Sequence, residues 1–339
     1  MTQRVIRADA ELHCDGIDDG LRARGVDLAL TPAGMAEAEF GRAVRDADLV
    51  LTCYQPITED VIRSAPRLRG IIKYGVGIDA IDIEAARRHR VPVVNVPAYA
   101  EETVAEAALA LLLALAKKIV PVQQEVMRHG WAWPEPRWLG ADVSGKVLGL
   151  VGVGRIGRAM ARMVGPGFRM RVLGYDPYVS AAEMGLAGVE RRADLPGMLA
   201  ACDFVSLHAV LTPRTRHLIG AAELARMKPS AFLINVSRGA LVDEAALVHA
   251  LHTGRIAGAA LDAYGHEPLA RAGHPLSPLF GRDNVILSPH LAFYTAEAMH
   301  RLAGETLRRC DEILRGDPVL VTSADPRLTA QTEGVVFGG

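Results

Sequence analysis

The stretch that most constrains this chain is Gly145-Lys-Val-Leu-Gly-Leu-Val-Gly-Val-Gly-Arg-Ile-Gly-Arg158. Val147 to Val151 is a short apolar run of the kind that forms a buried parallel strand. It breaks into Gly152-x-Gly154-x-x-Gly157 and then into a helix-like segment from Arg158 to Val164. The next apolar run, Met170 to Tyr175, ends at an acid, Asp176. The spacing matches the roughly 20 residues that separate a phosphate-binding glycine turn from a ribose-binding carboxylate. Gly152 permits the tight turn, Gly154 lets the backbone approach a pyrophosphate, and Gly157 lets the helix pack close to the sheet. The helix N-terminus adds unpaired N–H groups and a positive dipole end. A carboxylate at Asp176 accepts from ribose hydroxyls and repels a 2′-phosphate, and no arginine follows in Pro177-Tyr178-Val179. This pattern reads as a dinucleotide site for NAD in preference to NADP.

The site lies mid-chain, so a substantial unit precedes it. Strand candidates there are Arg4–Ala8, Asp27–Leu30, Leu49–Cys53, Gly70–Tyr74 and Val91–Val94. Helical spacing of apolar residues falls between them, at Met35–Ala47, Glu59–Ser64 and Ile83–His89. That alternation predicts a small doubly wound parallel sheet, in which ligands bind beyond the carboxyl ends of the strands. Attention therefore falls on Lys73-Tyr74-Gly75-Val76-Gly77-Ile78-Asp79, a glycine-punctuated loop after the fourth strand. Its backbone N–H groups and Lys73 suit an anionic substrate; a strand-to-helix turn with a surface lysine fits the spacing equally. Glu101 to Lys118 is apolar on nearly every side, which predicts a helix buried between domains or against another subunit. The loop Trp131-Ala-Trp-Pro-Glu-Pro-Arg-Trp138 holds all 3 tryptophans and reads as interface packing ahead of ligand lining. The tail from Thr322 to Gly339 has no apolar periodicity and reads as loose or wrapped on a partner.

Composition excludes several classes. At 339 residues, one to three domains are expected. A net charge of -1 leaves no electrostatic footprint for nucleic acid or an anionic membrane. Cys14, Cys53, Cys202 and Cys310 form no CxxC pair and suit reduced thiols in a cytoplasmic protein. The N-terminus shows no apolar signal core, and Ala107 to Ala116 falls short of the ~20 residues that span a bilayer. His249 and His252 lack further ligands at metal-site spacing, so no metal is expected. Asp243-Glu244 reads as a helix start, where its charge complements the dipole.

The chemistry lies at later strand ends. Runs at Phe204–His208, Ala231–Val236, Gly258–Ala263 and Asn284–Ser288 continue the alternation. Three of them lead into Asn235-Val-Ser-Arg238-Gly239, Asp262-Ala-Tyr-Gly-His-Glu267-Pro268 and Ser288-Pro289-His290. Hydride transfer at a C–OH carbon needs a group that takes or supplies the hydroxyl proton, and histidine does this near neutral pH. A carboxylate on the other imidazole nitrogen fixes the tautomer and stabilises the imidazolium. An arginine at a strand end grips a substrate carboxylate through two parallel N–H···O bonds. Arg238, Glu267 and His290 thus form a chemically complete set.

These motifs, with Val-Ala-Glu (104–106) and Asn-Val-Ser-Arg-Gly-Ala-Leu-Val-Asp-Glu (235–244), resemble the D-isomer-specific 2-hydroxyacid dehydrogenases over most of the chain. The resemblance implies two doubly wound α/β domains. One is a flavodoxin-like substrate domain, 1–100 and 295–339; the other is a Rossmann NAD-binding domain, 101–294. It implies catalysis by Arg238, Glu267 and His290, with His290 as acid/base. Cofactor contacts are implied at Gly152, Gly154, Arg155, Ile156, Gly157, Asp176, Ala209, Val236, Ser237, Arg238, Asp262 and His290, with the Asp262 carboxylate on the nicotinamide amide. Substrate contacts are implied at Val76, Gly77 and Arg238, and Lys73 and Tyr74 are expected to bind substrate beside them. The substrate is a small 2-hydroxyacid or 2-ketoacid, and the assembly a homodimer joined through the NAD-binding domains. Two alternatives stand beside this: an NAD-sensing corepressor-like protein and a phosphoglycerate-type dehydrogenase. Val210 stands where the family commonly has proline, and Leu291-Ala-Phe-Tyr is bulkier than the small residues of some phosphoglycerate-type members. No long C-terminal extension is seen, so a separate regulatory domain is not expected. Asp176→Ala is expected to narrow the preference for NADH over NADPH, read as the ratio of kcat/KM values; an unchanged ratio removes Asp176 from cofactor choice.

Overall fold

The computed structural model describes residues 2–338; Met1 and Gly339, the outer ends of the expected substrate domain, lie outside them. The chain forms two compact units, Met1–Ala100 with Tyr294–Gly339, and Glu101–Phe293.

The first unit is built on five parallel strands: β1 (Arg4–Arg7), β2 (Asp27–Leu30), β3 (Leu49–Thr52), β4 (Ile71–Lys73) and β5 (Val93–Asn95). Their order is β2-β1-β3-β4-β5, a doubly wound sheet as the alternating pattern predicts and the flavodoxin-like arrangement that the resemblance implies. β3, β4 and β5 are buried along their whole length, as parallel strands covered on both faces must be. Side-chain caps set the helix starts: Thr58 accepts from the Val61 N–H, and Asp82 from the Ala85 N–H. A 20-residue amphipathic helix, Ala296–Arg315, packs against Asp15–Ala23. A Cβ on Gly20 would fall 2.4 Å from Leu307 Cδ1, so glycine sets how closely these helices approach.

The tail is ordered, which corrects the expectation of a loose segment. β13 (Val319–Val321) pairs in parallel with β14 (Val335–Phe337), and a short helix, Pro326–Thr329, lies between them. Gln331 supplies the reason. Its amide oxygen accepts from the Val93 N–H at 2.7 Å, and its nitrogen donates to the Val93 carbonyl at 2.9 Å. One side chain thus completes the open edge of β5, a long-range role that apolar periodicity does not register.

The second unit has seven parallel strands: β6 (Val147–Val151), β7 (Arg171–Tyr175), β8 (Val189–Arg191), β9 (Phe204–Leu207), β10 (Phe232–Asn235), β11 (Gly258–Leu261) and β12 (Val285–Leu287). The order is β12-β11-β10-β9-β6-β7-β8, a Rossmann sheet extended by one strand. The order reverses between β6 and β9, the switch point beside which ligands bind in such sheets. β8 and the helices Ala181–Leu186, Leu195–Ala201, Ala221–Leu224 and Ile119–His129 here, with β13, β14, Asp15–Ala23, Pro326–Thr329 and Ala296–Arg315 in the first unit, are not assigned by the sequence pattern. The first three helices span seven residues or fewer, too short to establish a period.

Glu101–Ala116 packs one face (Ala105, Ala108, Leu112 and Leu115) into the apolar cluster under β6. Leu109, Leu111 and Leu113 are only partly covered. No helix among the described residues is long and apolar enough to cross a membrane.

Candidate active site

Consecutive neighbours β10, β11 and β12 end in the turns that carry Arg238, Glu267 and His290. The Glu267 carboxylate meets His290 Nδ1 at 2.8 and 3.0 Å. Partial burial pushes the Glu267 carboxyl up, but the His290 bond and charge, the Tyr264 N–H and the Arg238 charge outweigh it and hold it below its ordinary value. An ionised carboxylate only accepts, so Nδ1 carries the proton and donates it, and Nε2 becomes the nitrogen for proton exchange. Arg238 is anchored at its base by Nη1 donating to the Ser237 carbonyl at 2.9 Å.

His290 has φ 57°, in the left-handed region. For a residue with a Cβ this costs about 1–2 kcal/mol, so neighbouring contacts must hold it there. Asp262 supplies them. Its Oδ1 accepts from Ser288 Oγ at 2.6 Å and the Leu291 N–H at 3.1 Å, and its Oδ2 from the Ala292 N–H at 2.9 Å. At 1% exposure this carboxylate is a structural clamp on the histidine turn. Of roughly four acceptor positions on a carboxylate, these bonds leave about one for a nicotinamide amide. One position is enough for the expected contact with the amide N–H of a nicotinamide.

The other expected cofactor residues fall at the ends of β6, β7, β9 and β10. Gly152 has φ 90°, and a Cβ there would lie 2.6 Å from the Ala209 nitrogen. A Cβ on Gly157 would lie 2.5 Å from the Gly152 carbonyl oxygen. At Gly154 nothing lies within 4 Å, which leaves the backbone open to a phosphate at the start of the helix Arg155–Phe168. Asp176 accepts from the Val153 N–H at 3.0 Å and the Tyr178 N–H at 2.9 Å, so it also braces the glycine turn. Ser237 Oγ donates to the Ala209 carbonyl at 2.6 Å, joining the loops after β9 and β10. Val236 is buried, Ile156 packs on the apolar cluster, and Arg155 lies 3.7 Å from Glu101. These residues fit a dinucleotide: crowded glycines surround one open backbone position at a helix N-terminus.

Comparison with known proteins agrees with this geometry. Residues 109–292 match the family described as D-isomer specific 2-hydroxyacid dehydrogenase, NAD binding domain. A glyoxylate reductase of Korarchaeum cryptofilum is 42% identical, over 81% of this chain and 82% of its own. A D-3-phosphoglycerate dehydrogenase of Methanocaldococcus jannaschii is 38% identical over 90% of this chain. This chain spans only 56% of that protein's length. D-Lactate dehydrogenase from Aquifex aeolicus, solved with NAD and lactic acid, superposes with a TM-score of 0.80 at 28% identity, covering 92% of this chain and 96% of its own. The chain belongs to the D-isomer-specific 2-hydroxyacid dehydrogenase family.

Within this family member, the loop after β4 differs from its expected form at two side chains. Tyr74 is fully buried and its hydroxyl donates to the Ala8 carbonyl at 2.6 Å, so the phenol points into the unit's interior. Lys73 is also buried; its ammonium donates to the Cys53 carbonyl and lies 3.3 Å from Cys53 Sγ. It is not the surface lysine of the simpler reading. Val76 is exposed, and its carbonyl accepts from Asn95 Nδ2 at 2.6 Å, beside half-buried Gly77.

Sequence reasoning passes over several residues of this candidate site. Asp243 does cap its helix, but Glu244 reaches further and accepts from the Gly265 N–H at 2.7 Å. His274 accepts from the Leu276 N–H through Nδ1, so its Nε2 is the donor to the His266 carbonyl, at 3.0 Å. Both steady the loop that carries Glu267. Their one available signal was polarity near a strand end, which most surface loops share.

His208, at the end of β9, bonds Ser206 Oγ through Nε2 at 2.9 Å, while its buried Nδ1 has no protein partner. Loss of hydration pushes its pKa down to about 4. Because the folded value lies below the unfolded one of about 6.5, the unfolded chain takes up the proton first and stability falls with acidification. Between pH 6.5 and about 4 the loss from this group is expected to reach up to about 3 kcal/mol. Urea midpoints measured across that range should show the slope, and His208→Gln should remove it.

Proposed function

We propose that this protein is an NAD-dependent oxidoreductase that moves a hydride between NAD(H) and C2 of a D-2-hydroxyacid or 2-ketoacid. The observation that carries the reading is the 2.8 Å bond from His290 Nδ1 to a Glu267 carboxylate kept ionised. The nicotinamide, when bound, supplies or accepts the hydride. Arg238 grips the substrate carboxylate and orients its C2. His290 gives its Nε2 proton to the carbonyl oxygen in reduction, and takes the hydroxyl proton in oxidation. Glu267 stays ionised throughout and stabilises the imidazolium. Val76 and Gly77 remain proposed substrate contacts, as the resemblance implies. Asp176 favours NAD, and four buried cysteines without disulfides suit the cytoplasm.

We assign the assembly to a homodimer formed through the NAD-binding unit. Along the helix Ile119–His129 only Pro121 is buried. Met127 is 75% exposed, Trp133 72% and Leu139 80%, an apolar surface that an isolated soluble chain does not favour. Light scattering after gel filtration should give twice the chain mass, and Met127→Glu with Trp133→Ser should halve it.

A panel of 2-ketoacids varied in size and charge, followed by NADH oxidation, tests the reaction. His290→Ala is expected to lower kcat by about 10²–10⁴-fold with NADH binding little changed. Arg238→Ala is expected mainly to raise the ketoacid KM, by about one to two orders of magnitude. Tight NADH binding without turnover on any member of the panel would favour the sensor alternative and sink the dehydrogenase reading. Preference for a phosphorylated ketoacid would select the phosphoglycerate-type alternative.

A further inference from the structure

We propose that Tyr264 is the positioning residue of the acid–base pair, its hydroxyl holding the His290 turn while its main chain holds Glu267. The inference rests on the proposed roles of Arg238, Glu267 and His290, and deepens them by adding a residue that acts through all three.

The Tyr264 hydroxyl lies 2.7 Å from the Ser288 carbonyl oxygen and 3.1 Å from that of Leu261. A phenol has one proton to give. The shorter contact, to Ser288, takes it. The same Ser288 carbonyl accepts from the His290 N–H at 3.1 Å. Phenol and catalytic turn are therefore tied to one oxygen, two residues before a histidine held in the left-handed region.

The Tyr264 N–H donates to Glu267 Oε1 at 3.0 Å, an oxygen that also receives His290 Nδ1. Tyr264 thus touches Glu267 directly and reaches the His290 turn through the Ser288 carbonyl, by different atoms. The arginine turn rests on it as well: a Cβ on Gly239 would fall 1.8 Å from the Tyr264 carbonyl carbon, so the backbone after Arg238 lies directly on this residue. At 6% exposure, with Asp262 and Glu267 nearby, the phenol is pushed well above its ordinary pKa and stays a donor across the neutral range. Phenylalanine would fill the same apolar space, so packing alone does not account for the hydroxyl. Without it, the Ser288 carbonyl keeps one of its two named donors, and the His290 turn is released to relax away from Glu267.

The test is Tyr264→Phe in the full chain. It is read by steady-state 2-ketoacid reduction across pH, by NADH titration, and by ¹⁵N spectra of the His290 ring assigned with His290→Gln. The expected result is a fall in kcat of about 10- to 100-fold, with KM changed by less than about threefold and NADH affinity by less than about twofold. The limb of the pH profile should move, and the Nδ1–H tautomer should lose its dominance in the neutral ring. Incorporating 3-fluorotyrosine at position 264, which restores a hydroxyl on the same ring, should return kcat to within about threefold of the parent. An unchanged kcat per NADH-binding site together with unchanged His290 ring signals overturns the proposal, and so does failure of the fluorotyrosine protein to recover. If the parent protein turns over no 2-ketoacid, the dehydrogenase reading fails by itself. The ¹⁵N tautomer comparison then decides the role of Tyr264 alone.

Discussion

A parallel sheet leaves a row of turns at its carboxyl edge, and each turn exposes main-chain N–H groups that must be paired. In this protein a single aspartate at a strand end repeatedly meets that demand. After β1, Asp9 accepts the N–H groups of Cys53, Tyr54 and Gln55, at 2.8, 2.8 and 3.0 Å. After β7, Asp176 accepts from Val153 and Tyr178. After β11, Asp262 accepts from Leu291 and Ala292. Each carboxylate ties its own strand end to a neighbouring turn, and the functional loops inherit their shape from these ties. The glycine turn and the His290 turn are both held this way.

The same constraint explains why strained backbone is stable where the chemistry needs it. A left-handed histidine is costly in isolation, yet His290 sits between two N–H groups fixed on Asp262 and a carbonyl fixed by Tyr264. Asp9 itself has φ 62° and is 1% exposed, held by the three N–H groups that it accepts. In each case several hydrogen bonds of about 1 kcal/mol net offset a backbone cost of similar size. The outcome is a side chain with few orientations open to it, as the proposed acid/base role requires.

Much of the site was legible in sequence because its residues carry chemistry in their type and sit at strand ends. Gly152, Gly154 and Gly157 fall between an apolar run and a helix, a local arrangement with one main reading. Arg238, Glu267 and His290 follow apolar runs that could only be strands of one sheet. The fold class was legible for the same reason, since alternating strand and helix periods leave few topologies. Less legible were residues whose role depends on a distant neighbour. Gln331 looks like an ordinary polar residue until its amide is found on Val93. Tyr264 draws no reading from the pattern, Lys73 reads equally as an anion binder or a surface charge, and Asp262 reads only as a nicotinamide contact.

The sequence by itself determined the two sheets, the nucleotide turn and the identities of the groups that could move a proton or grip a carboxylate. Those depend on local periodicity and on functional-group chemistry, which a linear chain displays. Only the tertiary structure decided which polar groups are already paired. It turned Tyr74 inward and set Lys73 on Cys53, committed Asp262 to the histidine turn, and gave Glu267 a partner on each side. Pairing depends on distances of about 3 Å between residues tens of positions apart, and those are set when strands take their order in the sheet.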